Sequence, residues 1–227
     1  IKWSWELFTT EWKLDKSRLW VTVYEEDAEA YDLWIKETDI DPKRVLRAGK
    51  KDNFWEMGET GPCGPCSEIH YFVGKDLLTQ DASGVNSSDK YWELWNLVFI
   101  QNNRLIDGTL ETLPNKHVDT GAGLERIASV LQGKNNNYKT DLFFPIIKSI
   151  AKIAKSSYDK NPIPHNVIAD HIRMLCFSIA DGAIPSNEGR GYVLRRMQTR
   201  FPNHLKVFSF NVDDLPDSGE KILRTLG

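Results

Sequence analysis

The stretch His117-Val118-Asp119-Thr120-Gly121-Ala122-Gly123-Leu124-Glu125-Arg126 constrains this chain more than any other. Asp119 lies beside an apolar residue, and two glycines follow at alternate positions. Ile127, Ala128, Val130 and Leu131 then continue at helical spacing. The pattern predicts a strand that passes through a glycine turn into a helix. Glycine lets the backbone come close to a ligand, since no side chain stands between them. Arg126 opens the helix and adds a full charge to the partial positive charge of its N-terminus, which suits a phosphate. Asp119 is set to hold a cation next to it. A plain glycine turn carrying a surface Glu-Arg pair fits the same residues, so the surroundings must decide.

Several classes are set aside by composition. The 227 residues carry a formal net charge of −3, so no global positive field points to nucleic acid, and any such contact needs a local patch. Three cysteines do not make a secreted disulfide framework. No apolar run approaches the roughly 18 residues of a membrane helix, and no membrane partner is expected. The opening Ile1-Lys2-Trp3-Ser4-Trp5 has neither an initiator Met nor a signal-peptide core. It reads as the middle of something longer.

In chain order, residues 1–9 suggest a helix end, Leu19–Tyr24 and Arg44–Arg47 short strands, and Asp27 the cap of a helix burying Ala30, Tyr31, Trp34 and Ile35. In Gly61-Pro62-Cys63-Gly64-Pro65-Cys66, two Gly-Pro steps predict a loop of unusual path between two strands. Residues 75–90 read as an exposed loop. Tyr91–Gln101 reads as a strand with Trp92, Leu94, Asn96, Val98 and Ile100 on one face and Trp95, Leu97 and Phe99 on the other. Asn96 interrupts an apolar face. A buried amide costs about 1–3 kcal/mol without partners, so it is either bonded to backbone or waiting for a ligand.

Asp107-Gly108 is a turn signal. A helix is expected from Thr140 through Ile153, a linker over 155–164, and a helix with Ile168, Ile172, Leu175 and Ile179 on one face, capped by Gly182. Another follows Gly189, carrying Arg190, Arg195, Arg196 and Arg200. The stretch from Phe208 to Asp217 reads as acidic and irregular, ahead of a short helix.

Four blocks now stand in order: Asp52–Tyr71 around GPCGPCSE, Trp95–Arg104, His117–Gln132, and Ala169–Arg196 with PSNEGRGYVLRR. Together they resemble the alanyl-tRNA synthetase family of class II aminoacyl-tRNA synthetases. The resemblance implies an α+β fold, with an antiparallel class II synthetase sheet flanked by helices. It assigns residues 1–157 to the C-terminal portion of the catalytic domain and 158–227 to part of a helical domain that recognises the tRNA acceptor stem. Carried over by position, Trp55, Leu94, Trp95, Asn96, Gly123 and Arg126 border ATP. Trp55, Asn96, Val98, Asp119 and Gly121 hold L-alanine, with Val98 at its methyl. Arg126 is the catalytic arginine of the third class II motif, and Arg190, Arg195, Arg196 and Arg200 face tRNA(Ala). ATP arrives with Mg²⁺, and no protein-bound zinc or other metal site is expected. The implied compartment is the cytoplasm, with the mitochondrion as the alternative.

The family's first two class II motifs are not found in residues 1–52, so the chain alone is expected to have little or no aminoacylation activity. The N-terminal motifs and the editing portion are expected elsewhere in a parent protein. Cys63 and Cys66 have the spacing of half a zinc site, but with only His70 nearby they read as thiols supporting a tight loop. Between residues 165 and 206 six Lys/Arg face three Asp/Glu, a local basic excess that fits an acceptor stem or ordinary solvated charge. The competing class is a non-catalytic paralogue that binds RNA or a partner.

Overall fold

The computed structural model describes residues 1–206, with side chains to Met197. The Phe208–Asp217 expectation and the side chain of Arg200 lie outside the described residues. The chain forms two compact units, 1–135 and 136 onward. This division in packing falls ahead of the boundary expected after Ser157.

The first unit is built on six strands: β1 (Leu19–Tyr24), β2 (Val45–Ala48), β3 (Phe54–Glu56), β4 (Gly61–Phe72), β5 (Tyr91–Arg104) and β6 (Leu110–Ala122). The sheet order is β2-β1-β4-β5-β6, and β3 pairs with β4. All pairings are antiparallel except β1 with β2. Those two are joined through α2 (Ala28–Glu37), and a parallel pair requires such a crossover. Asp27 caps α2 by accepting from the Ala30 N–H at 2.9 Å.

One face of the sheet is the core. Val21, Val23, Ile69, Leu94 and Leu97 pack there with Trp5 of α1 (Lys2–Glu6) and with Phe8, with Trp34 of α2, and with Ile127 of α4 (Leu124–Leu131). Trp5 and Trp34 meet edge to face at 6.1 Å, and the Trp34 indole donates to Ser67 Oγ at 2.8 Å. Each such fully buried large side chain contributes about 1.5–3 kcal/mol.

Two departures from the expected pattern matter. The GPCGPC segment is not a loop but the first half of β4. Its register breaks between Cys63 and Cys66, and such an irregularity tolerates prolines that cannot donate to a ladder. Gly64 is there for space: a Cβ on it would lie 2.1 Å from the Phe99 carbonyl oxygen. Gly64→Ala should therefore destabilise the chain by about 3 kcal/mol or more, read as a lower urea midpoint. An unchanged midpoint would mean the β4–β5 crossing can open.

The second departure is a β-bulge. Ile69 pairs with Trp95 and His70 with Glu93, which leaves Leu94 as an extra residue in β5. The bulge resets the alternation, so Trp92 and Leu94 join Trp95, Leu97 and Phe99 in the core. Asn96 and Val98 stay on the opposite face. The β5–β6 hairpin closes at Gly108, whose φ of +85° suits glycine.

The second unit contains α5 (Phe144–Ile153), α6 (Pro162–Ala180) and α7 (Gly189–Lys206). Phe143, Ile146, Ile147, Ile150, Ile168 and Ala169 form its core. α5 starts at Phe144 rather than Thr140 because Pro145 lacks an N–H and fits only the first turn. Gly182 ends α6 with φ +87°, as expected.

Candidate functional site

Strand register builds a site on the sheet face opposite the core. Thr22, Glu68, Asn96 and Gly121 stand side by side across β1, β4, β5 and β6. Two residues along, Cys66, Val98 and Asp119 form a second row. Residues two apart on a strand share a face, so Asn96, Val98, Gly121 and Asp119 are brought together.

Glycine at 121 is not needed by the scaffold. It lies within β6 and not in a turn, and a Cβ there would meet nothing within 4 Å. The space above it is open. Beside it, Asn96 Oδ1 is buried with no hydrogen-bond partner, an arrangement that costs energy unless something polar fills it. The Asp119 carboxylate is exposed and accepts from the Thr120 N–H at 2.8 Å. Val98, 5% exposed, supplies an apolar wall.

Beside these groups, on the same face, lies a set of buried polar side chains. Glu68 accepts from His70 Nε2 at 3.1 Å and from Thr22 Oγ1 at 3.3 Å. A carboxylate only accepts, so the His70 proton sits on Nε2. Asn53, at the end of α3 (Lys50–Asn53), donates to Thr22 Oγ1 and to the Cys66 carbonyl, both at 3.0 Å. Burial, then the nearby Glu68 charge, pushes the Cys66 thiol up to about 12, while donation from Asn96 pulls it down. The thiol is therefore neutral. Thr22, Asn53 and Glu68 were missed from sequence, where Cys66 and His70 were weighed only as half a zinc site.

At the end of β5 the bulge frees two carbonyls. Leu94 O accepts from the Gly123 N–H at 3.0 Å, where α4 begins. Glu93 O accepts from Arg126 Nη1 at 2.9 Å, and Glu93 Oε2 lies 3.6 Å from the guanidinium. Burial first, then the Glu68 charge, raises the Glu93 pKa above the usual carboxylate range, with His70 and Arg126 opposing. Arg126 is thus positioned by its own scaffold yet remains half exposed. Glu93 and Asn96 are three residues apart, about 10 Å along a strand, and the amide site and the cation share one face.

Other expected site residues fall elsewhere. The Leu94 side chain is buried in the core, and Trp95 packs edge-on against Phe8 at 5.7 Å and donates to Thr120 Oγ1. These two face away from the site and reach it only through backbone. Trp55 is half buried and pairs with Gly64, next to Glu56. The Glu56 carboxyl is held low first by Lys50 and then by Arg104, each at 2.9 Å. Arg190, Arg195 and Arg196 lie exposed on α7, and Arg195 donates to Asn187 Oδ1. Cys63 and Cys66 are buried free thiols within β4.

The sheet thus carries an apolar core on one face and the Asn96, Val98, Gly121 and Asp119 group on the other. Residues 1–220 match the family described as tRNA synthetases class II (A), and the chain belongs to it. Its relatives include the alanine–tRNA ligase of Chlorobium chlorochromatii, 57% identical over 88% of this chain. That of Chlorobaculum tepidum is 50% identical over 100% of the chain, and that of Fusobacterium nucleatum 48% over 92%. The chain spans about a quarter of the length of these relatives, between 23% and 26%.

Proposed function

We propose that this chain supplies the amino-acid pocket and part of the nucleotide site of an alanine–tRNA ligase. The observation that carries the reading is the alignment of Asn96, Val98, Gly121 and Asp119 on one face, with a buried unpartnered amide oxygen beside open space. In this reading Asp119 and Asn96 Oδ1 receive the ammonium of L-alanine, and Val98 meets its methyl. Arg126 faces the phosphates of ATP, and Gly123 lets the helix start come near them. Trp55 closes the pocket, while Leu94 and Trp95 contribute backbone. Mg²⁺ enters with the nucleotide and is ligated chiefly by phosphate oxygens.

An alanine carboxylate oxygen attacks the α-phosphorus of ATP. The bond to the bridging oxygen breaks, and pyrophosphate leaves. A terminal ribose hydroxyl of tRNA(Ala) then attacks the activated carbonyl, and AMP departs. No covalent enzyme intermediate is needed. The protein contributes positioning and fixed charge. A methyl-sized wall discriminates by only about 1–3 kcal/mol, so rejection of glycine and serine needs editing elsewhere in the full-length protein, which we place in the cytoplasm.

Residues 158–227 serve as part of the acceptor-stem surface, with Arg190, Arg195 and Arg196 toward the tRNA. The test is kinetic. In the full-length protein, Arg196→Ala should raise KM for tRNA about tenfold, the effect of one lost phosphate contact. Alanine-dependent pyrophosphate exchange should stay nearly intact. Equal loss of both activities would reject the assignment, and absence of exchange in the unmodified protein would reject the ligase reading.

A further inference from the structure

Glu68 has no part in the chemistry above, yet it stands beside a residue that does. Strand register puts it directly opposite Asn96, on the face that carries Val98, Gly121 and Asp119. Directly opposed residues have their Cβ atoms about 4.5–5.5 Å apart, so the Glu68 side chain starts next to Asn96, whose buried Oδ1 has no partner. Only 11% of that side chain is exposed. Both of its hydrogen bonds, from His70 Nε2 at 3.1 Å and from Thr22 Oγ1 at 3.3 Å, go to Oε2. Among the described residues its one ion-pair partner is His70, and no lysine or arginine reaches it. A buried carboxylate is ordinarily held by a cation. Here acceptors outnumber donors: Glu68 Oε1, Asn96 Oδ1 and, on the next strand, the exposed Asp119 carboxylate.

We propose that Glu68 is a second carboxylate of the amino-acid pocket: its Oε1 takes one N–H of the substrate ammonium, while Asp119 and Asn96 Oδ1 take the other two. A primary ammonium carries three N–H donors, and the three acceptors match them in number. His70 and Thr22 hold the carboxylate by its other oxygen. Asn53 donates to Thr22 Oγ1 at 3.0 Å, which leaves the Thr22 proton for Glu68. The inference rests on the reading of Asn96 and Asp119 as the alanine site.

The experiment uses the full-length protein with Glu68→Gln and Glu68→Asp, and Asp119→Asn as the reference. KM for alanine and for ATP is read from pyrophosphate exchange, and thermal midpoints are measured alongside. Gln is nearly isosteric, and its carbonyl still accepts from His70 and Thr22, so the loss reports charge. It should raise KM for alanine about tenfold, with KM for ATP unchanged. Asp keeps the charge but draws it back by one methylene, and should raise KM for alanine by about threefold or more. It carries the test if the Gln variant does not fold. The proposal is overturned if Gln, or Asp in its place, leaves KM for alanine unchanged while Asp119→Asn raises it. It is also overturned if KM for alanine and KM for ATP rise together, the mark of a residue that only supports the sheet. An unchanged KM for alanine in Asp119→Asn would instead remove the pocket reading itself, and the inference with it.

Discussion

Replacing Asp119 by Asn should raise KM for alanine by about 10- to 100-fold in the full-length protein, the worth of one charged hydrogen bond at about 1.5–3 kcal/mol. The substitution is nearly isosteric, and the new side-chain carbonyl can still accept from the Thr120 N–H that Asp119 now engages. Fold and register are therefore retained, and the loss reports charge alone. KM for ATP should be unchanged, since Arg126 is held by Glu93 and not by Asp119. Calorimetry with alanine on the same variant checks the result independently of turnover. Unaltered affinity would mean that the ammonium binds elsewhere.

Arg126→Ala should act on the other half of the reaction. It removes a full charge from the place where phosphate charge builds up, and losses of that kind reduce kcat by about 10²- to 10³-fold. Arg126→Lys should recover little. The planar guanidinium reaches the Glu93 carbonyl through Nη1 while leaving further N–H groups for a ligand, and a lysine ammonium lacks that fork. KM for alanine should move by less than about threefold, well below the Asp119→Asn effect. A variant that lost alanine affinity but kept its rate would show that Arg126 belongs to the amino-acid pocket.

Much of this was legible from residue patterns because the local signals agree with the fold. Asp27 caps α2, Gly108 closes a hairpin and Gly182 ends a helix, each for reasons written in one or two residues. The strand containing Asp119 and the helix carrying Arg126 were legible for the same reason. The errors came where register overrides pattern. Counting by twos along β5 placed Trp92 with Asn96, whereas the bulge at Leu94 moves it to the core. Two prolines in six residues suggested a loop, whereas β4 absorbs them at a break in its ladder. Gly121 was read as a turn residue, but its backbone is ordinary strand and its value is the room above it. Glu68 was passed over, and His70 and Cys66 were weighed only as half a zinc site or as loop support, because their partners lie on β1, α3 and β5, which no single stretch contains.

The bulge also makes chain length at this point as strict as residue identity. Deleting Leu94 would restore an even count and swing Trp92 and Glu93 to opposite sides from those they now occupy. It would also withdraw the carbonyls that anchor Gly123 and Arg126. An insertion in the Leu105–Thr109 tip would disturb none of this, being exposed and remote from both anchors. Gain or loss of one codon should therefore be tolerated at the hairpin tip and lethal to function eleven residues earlier, whatever amino acid it encodes.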